Sequence, residues 1–307
     1  MAVAADKGVV AATAGAPQGK QDKGKWTRFI LPTYSALVML YLILPIFIIV
    51  LYSFNYTSGL KVSFKWQGFS LHAYKELLSI PDLTSAVGNT LVVAVIATVI
   101  ATVIGTLVAL ALVRYTFRGK QASDLVLFAN IAAPEIVLGA ALLSFFVSVR
   151  VTLGLQTIII SHVMFCIAYV AITVRARLSG FDNSIEEAAQ DLGATPWVTF
   201  RLVTLPIIFP GILAGALLAF ALSIDDFVIT NFNSGSVTTF PLWVFGASRV
   251  GIPPQVFAIA TIIFTVGVML AATNIVLQAR KGARERRSGI LIRDANESET
   301  WSDAKTS

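Results

Sequence analysis

Three carboxylates stand where the surrounding sequence is almost wholly apolar: Glu135 in Ala133-Pro134-Glu135-Ile136-Val137, and Asp225 and Asp226 in Ser223-Ile224-Asp225-Asp226-Phe227. A charge at the centre of a bilayer costs about 2.5 to 3.5 kcal/mol on insertion scales, so each asks for a function or a partner. A straight helix from Leu125 would carry Glu135 ~15 Å into a ~30 Å hydrocarbon layer, near its midplane. Adjacent aspartates point about 100° apart on a helix, so one of Asp225 and Asp226 is expected to face a pathway and the other to cap a helix or bind a neighbouring chain. No lysine or arginine falls within the same apolar runs. An acidic path without basic partners suits a cationic solute, whereas an anion path would supply donors. The plainer reading is that Glu135 is a hydrogen-bonded packing residue and the aspartates mark an interfacial helix end. Pro134 removes a backbone donor beside Glu135, an irregularity tolerated where a helix meets protein or a watery cavity.

A second constellation runs from Asn183 to Trp197, reading Asn-Ser-Ile-Glu-Glu-Ala-Ala-Gln-Asp-Leu-Gly-Ala-Thr-Pro-Trp. Ser184 followed by Glu187 has the spacing of a capping box. Gly193 suits the left-handed end of a helix, and Thr195-Pro196 is a cap followed by proline at the first helical position. The pattern predicts two short helices joined by a turn at Gly193. Ala188 and Ala189 leave the first a narrow face that another protein's groove can accept, while Glu186, Glu187 and Asp191 stay solvated or meet basic partners. A solvated connector without a partner fits these residues equally well.

The elements that position these groups follow from composition. The chain has 307 residues, 56% hydrophobic and only 13% charged, against about 25% charge in soluble proteins. With a mean hydropathy of +0.78, much of its surface must face lipid, which excludes a disordered chain and an ordinary soluble enzyme. Apolar runs near residues 29–52, 87–113, 125–149, 155–174, 203–224 and 256–277 predict six membrane helices. The polar leader 1–28 is expected to be disordered, and the first run to be a retained helix rather than a signal peptide. If the leader is cytoplasmic, so are 114–124, 175–202 and the tail 278–307. Of 23 Lys and Arg residues, only Lys61, Lys65, Lys75, Arg150 and Arg249 then fall on the other side. That asymmetry predicts both termini in the cytoplasm. It also accounts for the net charge of +6 without nucleic acid, since no stretch interleaves basic and aromatic residues.

Small residues recur at four-residue spacing, Ala97, Ala101, Gly105 and Ala109 in the second run and Gly211, Gly215 and Ala219 in the fifth, a signal of close helix packing. Cys166 and His162 read as packing residues, since no second His lies at metal-ligand spacing from His162. Trp66, Tyr74, Trp243 and Phe245 read as interfacial aromatics.

The loop also resembles a known family. Glu187-Ala188-Ala189, three residues, Gly193, nine residues, then Val203-Thr204-Leu205-Pro206 is similar to the EAA loop of ATP-binding cassette importer permeases, with Val203 for the usual Ile. The resemblance implies an all-α polytopic chain of six helices with the type I importer, MetI-like fold. It further implies that Glu186, Glu187, Ala188, Ala189, Asp191 and Gly193 couple to a cytoplasmic ATPase. That ATPase is expected to be a separate chain, since Gly15 to Lys20 lacks the spacing and the following Ser or Thr of a phosphate loop. ATP and Mg therefore belong to two partner subunits, and no cofactor, metal or catalytic role is expected on this chain. A narrower likeness runs from about Arg28 to Leu277. Pro134-Glu135-Ile136-Val137, Ser223-x-Asp225-Asp226-Phe227, and Arg249-x-Gly251-x-x-Pro254 leading to Ala258-x-Ala260-Thr261 resemble the spermidine/putrescine permeases, second-subunit type. Gln255 and Phe257 depart from that family, where Glu and Asn are common. The implied partners are a second homologous permease, an extracytoplasmic solute-binding protein, membrane lipid and a polyamine, in the inner membrane of a prokaryote. Within the same superfamily, ferric iron, thiamine or a phosphonate is the alternative cargo. An ion-driven secondary carrier predicts no ATPase partner, and a membrane enzyme predicts a catalytic set that the sequence does not contain.

Overall fold

A computed structural model describes residues 27–57, 61–62, 65–182 and 184–276. The expected disordered leader, but for its last two residues, and the expected tail lie outside these residues, as does Asn183. Apart from an isolated bridge between Asn55 and Phe69, every regular element among the described residues is helical. They are α1 (Thr27–Ser53), α2 (His72–Lys75), α3 (Pro81–Arg114), α4 (Lys120–Ala132), α5 (Glu135–Ser148), α6 (Leu155–Leu178), α7 (Ser184–Asp191), α8 (Pro196–Thr199), a π-helical turn (Phe200–Thr204), α9 (Leu205–Asp225), α10 (Val228–Asn233) and α11 (Phe240–Val250). A last helix, α12, runs Pro254–Val276. Residues 1–48 form one unit, of which part of α1 is described, and residues 49–307 form the other.

Among the described residues, five stretches are long and apolar enough to cross a membrane: α1 from Ile30, α3, α6, Pro196–Asp225 and α12. The sixth expected span, the run 125–149, is not one straight helix. It is α4 and α5, bent by 111°. Pro134 has no N–H to donate back, and the residue before a proline is pushed out of the helical region. Ala133 accordingly sits at φ −68°, ψ 136°, and α5 restarts at Glu135. The depth reckoned for Glu135 along an unbroken helix therefore does not apply.

The second unit is built on α3, α6 and α9, and the small-residue stripes are where they meet. Ala97, Ala101, Gly105 and Ala109 are buried on α3, and Gly211, Gly215 and Ala219 on α9. A Cβ on Gly105 would lie 2.8 Å from Val170 Cβ and 3.0 Å from the Ile167 carbonyl oxygen. One on Gly215 would lie 3.3 Å from Val170 Cγ1, and one on Gly211 2.7 Å from Arg177 Cβ. In lipid, dispersion contact of this kind replaces the hydrophobic effect as the force between helices. Proline at N1, Asp82 in the first turn and Arg114 in the last suit both ends of α3 to its dipole.

Far from the π turn, α3 is pinned to the segment before α11. Asn89 Nδ2 donates to the Thr238 carbonyl at 2.9 Å, and the Phe240 N–H donates to Thr90 Oγ1 at 2.8 Å. Val62 N–H donates to the Ile252 carbonyl at 2.8 Å, so the loop after α1 and the loop before α12 lie together.

Gly105→Leu forces the α3–α6 contact apart and is expected to lower stability by about 1 to 3 kcal/mol. Gly267→Leu, where nothing lies within 4 Å, is expected to stay within about 0.5 kcal/mol of the parent. Thermal melts of the two purified variants in one detergent compare them directly.

Candidate functional site

The three acidic residues singled out in the sequence come into one neighbourhood, and the breaks in two helices put them there. Glu135 opens α5, where free backbone N–H groups and the helix dipole favour a carboxylate. Its side chain is exposed. It lies within electrostatic reach of Asp225, Asp226 and the Tyr169 hydroxyl.

The two aspartates divide the tasks. Asp226, 8% exposed, sits in extended backbone (φ −62°, ψ 122°) between α9 and α10. Its carboxylate accepts the Thr230 N–H at 2.8 Å, the Thr230 hydroxyl at 2.7 Å and the Ile229 N–H at 3.3 Å. It also lies 3.2 Å from His162 Nε2. His162, 2% exposed, has Nδ1 2.7 Å from Ser223 Oγ and Nε2 2.9 Å from Thr230 Oγ1. One imidazole thus ties α6 to the end of α9 and to α10. Asn233 Nδ2 at the end of α10 donates to the Ile229 carbonyl at 2.9 Å and to the Gly139 carbonyl of α5 at 3.3 Å. A Cβ on Gly139 would lie 2.8 Å from the Phe232 ring, so only glycine lets α5 and α10 approach this closely.

Asp225 points the other way and is exposed. It lines a cavity of about 860 Å³ between α3, α9 and α12, among Leu91, Phe220 and Ile262. It also lines a second cavity of about 580 Å³ bounded by α9, α11 and α12, beside Phe227 and Phe245. Among the described residues lining the two cavities it is the one charged side chain. Phe227 and Phe245 pack with ring centroids 4.7 Å apart, and the Arg249 guanidinium lies 4.8 Å over Phe245.

One residue of this site, Tyr169, is absent from the sequence reading, and the positioning part played by a second, His162, goes beyond it. His162 is a hydrogen-bonded interior residue as expected, yet it organises the corner that aims the aspartates. Tyr169 is half-buried, edge-on to Phe165 with centroids 5.1 Å apart. The signal was present: His162, Cys166 and Tyr169 fall at i, i+4 and i+7, one face of an otherwise apolar helix. No group of His, Cys, Asp and Glu suited to a metal ion occurs among the described residues.

The loop after α6 has the predicted pair of short helices. Its first start signal differs from the expected one, because no Ser184–Glu187 box forms. The Asp182 carboxylate instead accepts the Ser184 N–H at 3.0 Å, and hydrogen bonds from Ser184 hold that carboxyl below its ordinary range. Aspartate two residues ahead of a free N–H reaches it without the paired rotamers a box requires. The end of α7 follows the expectation. Gly193 has φ +88°, its N–H donates to the Gln190 carbonyl at 2.8 Å, and the Ala194 N–H donates to the Ala189 carbonyl at 3.1 Å, the two bonds of a Schellman end. Thr195 Oγ1 accepts the Val198 N–H at 3.4 Å ahead of Pro196. The Leu205 N–H then bonds the Phe200 carbonyl, five residues back. Pro206 and Pro210 withhold two further donors from the start of α9.

The acidic residues of α7 do not all face outward. Glu187, Ala188, Asp191 and Gly193 are exposed, Ala189 is half-buried, and Leu192 is 90% exposed. Glu186 turns inward, accepting from the Arg114 guanidinium at the end of α3 and from the Thr204 hydroxyl. Arg175 near the end of α6 pairs with Asp124 of α4.

Residues 101–281 match the family described as binding-protein-dependent transport system inner membrane component. The spermidine/putrescine transport system permease protein PotC of Haemophilus influenzae is 38% identical over 247 residues, 80% of this chain and 95% of that protein. The putrescine transport system permease protein PotI of Escherichia coli is 42% identical over 238 residues, 75% of this chain and 84% of that protein. Among solved structures, a bacterial ABC transporter involved in alginate import matches with a TM-score of 0.64 at 14% identity, covering 83% of this chain and 96% of that one. The inward-facing methionine ABC transporter MetNI matches with a TM-score of 0.52 at 17% identity, covering 67% and 96%.

Removing a hydrogen-bond partner from a buried carboxylate leaves it short of one donor, so His162→Leu is expected to cost about 3 kcal/mol. Asp225→Asn, on an open wall, is expected to change stability by less than about 0.5 kcal/mol. Detergent melts of both variants make the comparison, and equal melting temperatures would count against the corner as described.

Proposed function

Since the chain belongs to the binding-protein-dependent inner membrane component family, as a permease subunit of an ATP-binding cassette importer, we propose that its cargo is a polyamine such as putrescine or spermidine. The observation that carries this reading is Asp225, the one charged side chain among the described residues lining two cavities that share part of their walls, with Glu135 and the Tyr169 ring in the same neighbourhood. An alkyl chain bearing ammonium groups needs this combination of apolar wall, spaced carboxylates and aromatic face. The names of the two relatives point to the same cargo.

In this reading residues 29–277 are the permease domain, with leader 1–28 and tail 278–307 both cytoplasmic. The loop 175–202 faces the cytoplasm, and residues 53–86 and 227–255 form the outer mouth that receives cargo from a binding protein. A second homologous permease completes the path. Two ATPase subunits, which hold ATP and Mg, grip the outward face of α7 through Glu187, Ala188, Asp191 and Gly193. This chain supplies differential contacts and leverage, not bond chemistry. Glu135 and Asp225 attract the ammonium groups weakly enough to release them, and Asp226 holds the wall that Asp225 stands on.

With the partner subunits reconstituted in vesicles, Glu135→Gln and Asp225→Asn are expected to raise the KM for labelled putrescine or spermidine about tenfold each, about 1.4 kcal/mol per lost attraction. Unchanged KM in both, with normal assembly, would exclude an acidic path. Uptake of ferric iron, thiamine or a phosphonate in place of polyamine would redirect the substrate class. Gly193→Val, which cannot adopt φ +88° without strain, is expected to depress uptake and substrate-stimulated ATP hydrolysis together; normal values of both would remove the docking role.

A further inference from the structure

We propose that Arg114, Glu186 and Thr204 form an internal latch that carries ATP-driven movement of α7 into α3 and α9. The inference rests on the reading that α7 is gripped by the ATPase. It concerns what happens on the other side of that helix.

α7 is eight residues long and has no buried residue. Side-chain packing therefore gives it little purchase on the membrane helices. Glu186 makes a direct connection. Its carboxylate accepts from Arg114, the last residue of α3, and from the Thr204 hydroxyl, at the last residue of the π-helical turn. Arg114 Nη2 also lies 3.2 Å from Thr204 Oγ1, so the three side chains close a triangle in which every pair is joined. Thr204 is fully buried, and the Arg114 and Glu186 side chains are largely covered. Arg114 as a residue is open to solvent at the helix end, whereas Glu186 accepts both bonds on its covered side, and charge-assisted bonds of this kind are stronger than neutral ones.

The adjacent glutamates have opposite orientations. Glu187 is exposed and available to a partner, whereas Glu186 holds the protein's own helices. A pull on the outer face of α7 therefore arrives at two places. Through Arg114 it reaches α3, which is continuous to Thr90 and its bond to Phe240 near the opposite end. Through Thr204 it reaches α9, which ends at Asp225 on the cavity wall. The π turn between α8 and α9 is a natural place for that pull to be absorbed or released, because its wider ring holds one residue more than an α turn.

The test compares Glu186→Gln, Arg114→Glu, Thr204→Val and the exchanged pair R114E/E186R in the complete transporter, reading cargo molecules imported per ATP hydrolysed. The single charge variants are expected to lower that ratio about tenfold, as for a covered charge pair losing one member, and Thr204→Val about threefold. The exchanged pair is expected to recover at least half of the parental ratio, which a merely structural loss would not allow. A parental ratio in the singles, or an exchanged pair no better than Arg114→Glu alone, overturns the latch. Thr204→Val preserves side-chain volume and keeps the test decisive where a charge variant fails to assemble. Copurification of the ATPase with the unsubstituted chain separates the two levels: its absence rejects the docking reading itself, whereas its presence with fully coupled variants rejects only the latch.

Discussion

Asp226 is a carboxylate at a point where helical backbone stops and protein covers almost everything around it, and the second unit is arranged so that this charge is answered. Two backbone N–H groups, a threonine hydroxyl and an imidazole converge on it. A buried carboxylate held in this way contributes little net stability, because its desolvation offsets most of what the hydrogen bonds return. What it fixes is geometry. His162 on α6, Ser223 on α9 and Thr230 on α10 hold the corner in one hydrogen-bonded cluster across three helices. The contact of α10 with Gly139 extends that arrangement to α5, and so to Glu135 at the start of the same helix. The open position of Asp225 is the complement of the closed position of Asp226.

Broken helices supply the candidate positions throughout. Pro134 ends α4 and creates a second helix start whose free donors suit an acid. Asp226 separates α9 from α10, and Pro206 follows the π turn that leads into α9. A continuous helix satisfies its own backbone and offers lipid or neighbours only side chains. Each interruption exposes backbone groups that must be matched by something specific, and those matches place Glu135, Asp225 and Thr204.

What the sequence revealed was what local spacing encodes. The apolar runs gave the long helices, the four-residue stripes gave the close-packed faces of α3 and α9 but not their partner α6, and Gly193 and Thr195-Pro196 gave the end of α7 and the start of α8. The motif Glu187-Ala188-Ala189 with Gly193 and Leu205-Pro206 gave the family. The failures have two kinds of cause, a local geometry that spacing leaves open and dependence on residues distant in the chain. Pro134 was visible, but not that it would turn the chain through 111°. The inward and outward aspartates are neighbours in sequence and are told apart by Thr230 and by His162, about sixty positions earlier. Glu186 and Glu187 were equivalent on paper until Arg114, at the end of another helix, selected one. The Ser184–Glu187 box lost to Asp182 because a local competitor was nearer.

The length of α3 has its own consequence. The helix is continuous over 34 residues, about 50 Å, and it is fixed at three levels: Thr90 to Phe240, Gly105 to Val170, and Arg114 to Glu186. Inserting one residue between any two of these would advance the remainder by about 1.5 Å and rotate it by about 100°. A glycine would then be replaced at the crossing by a side chain, or the arginine would swing away from its acid. The helix can exchange many of its lipid-facing residues, but it cannot change their number. It serves as the measuring rod of the subunit, setting a single fixed distance between its two ends.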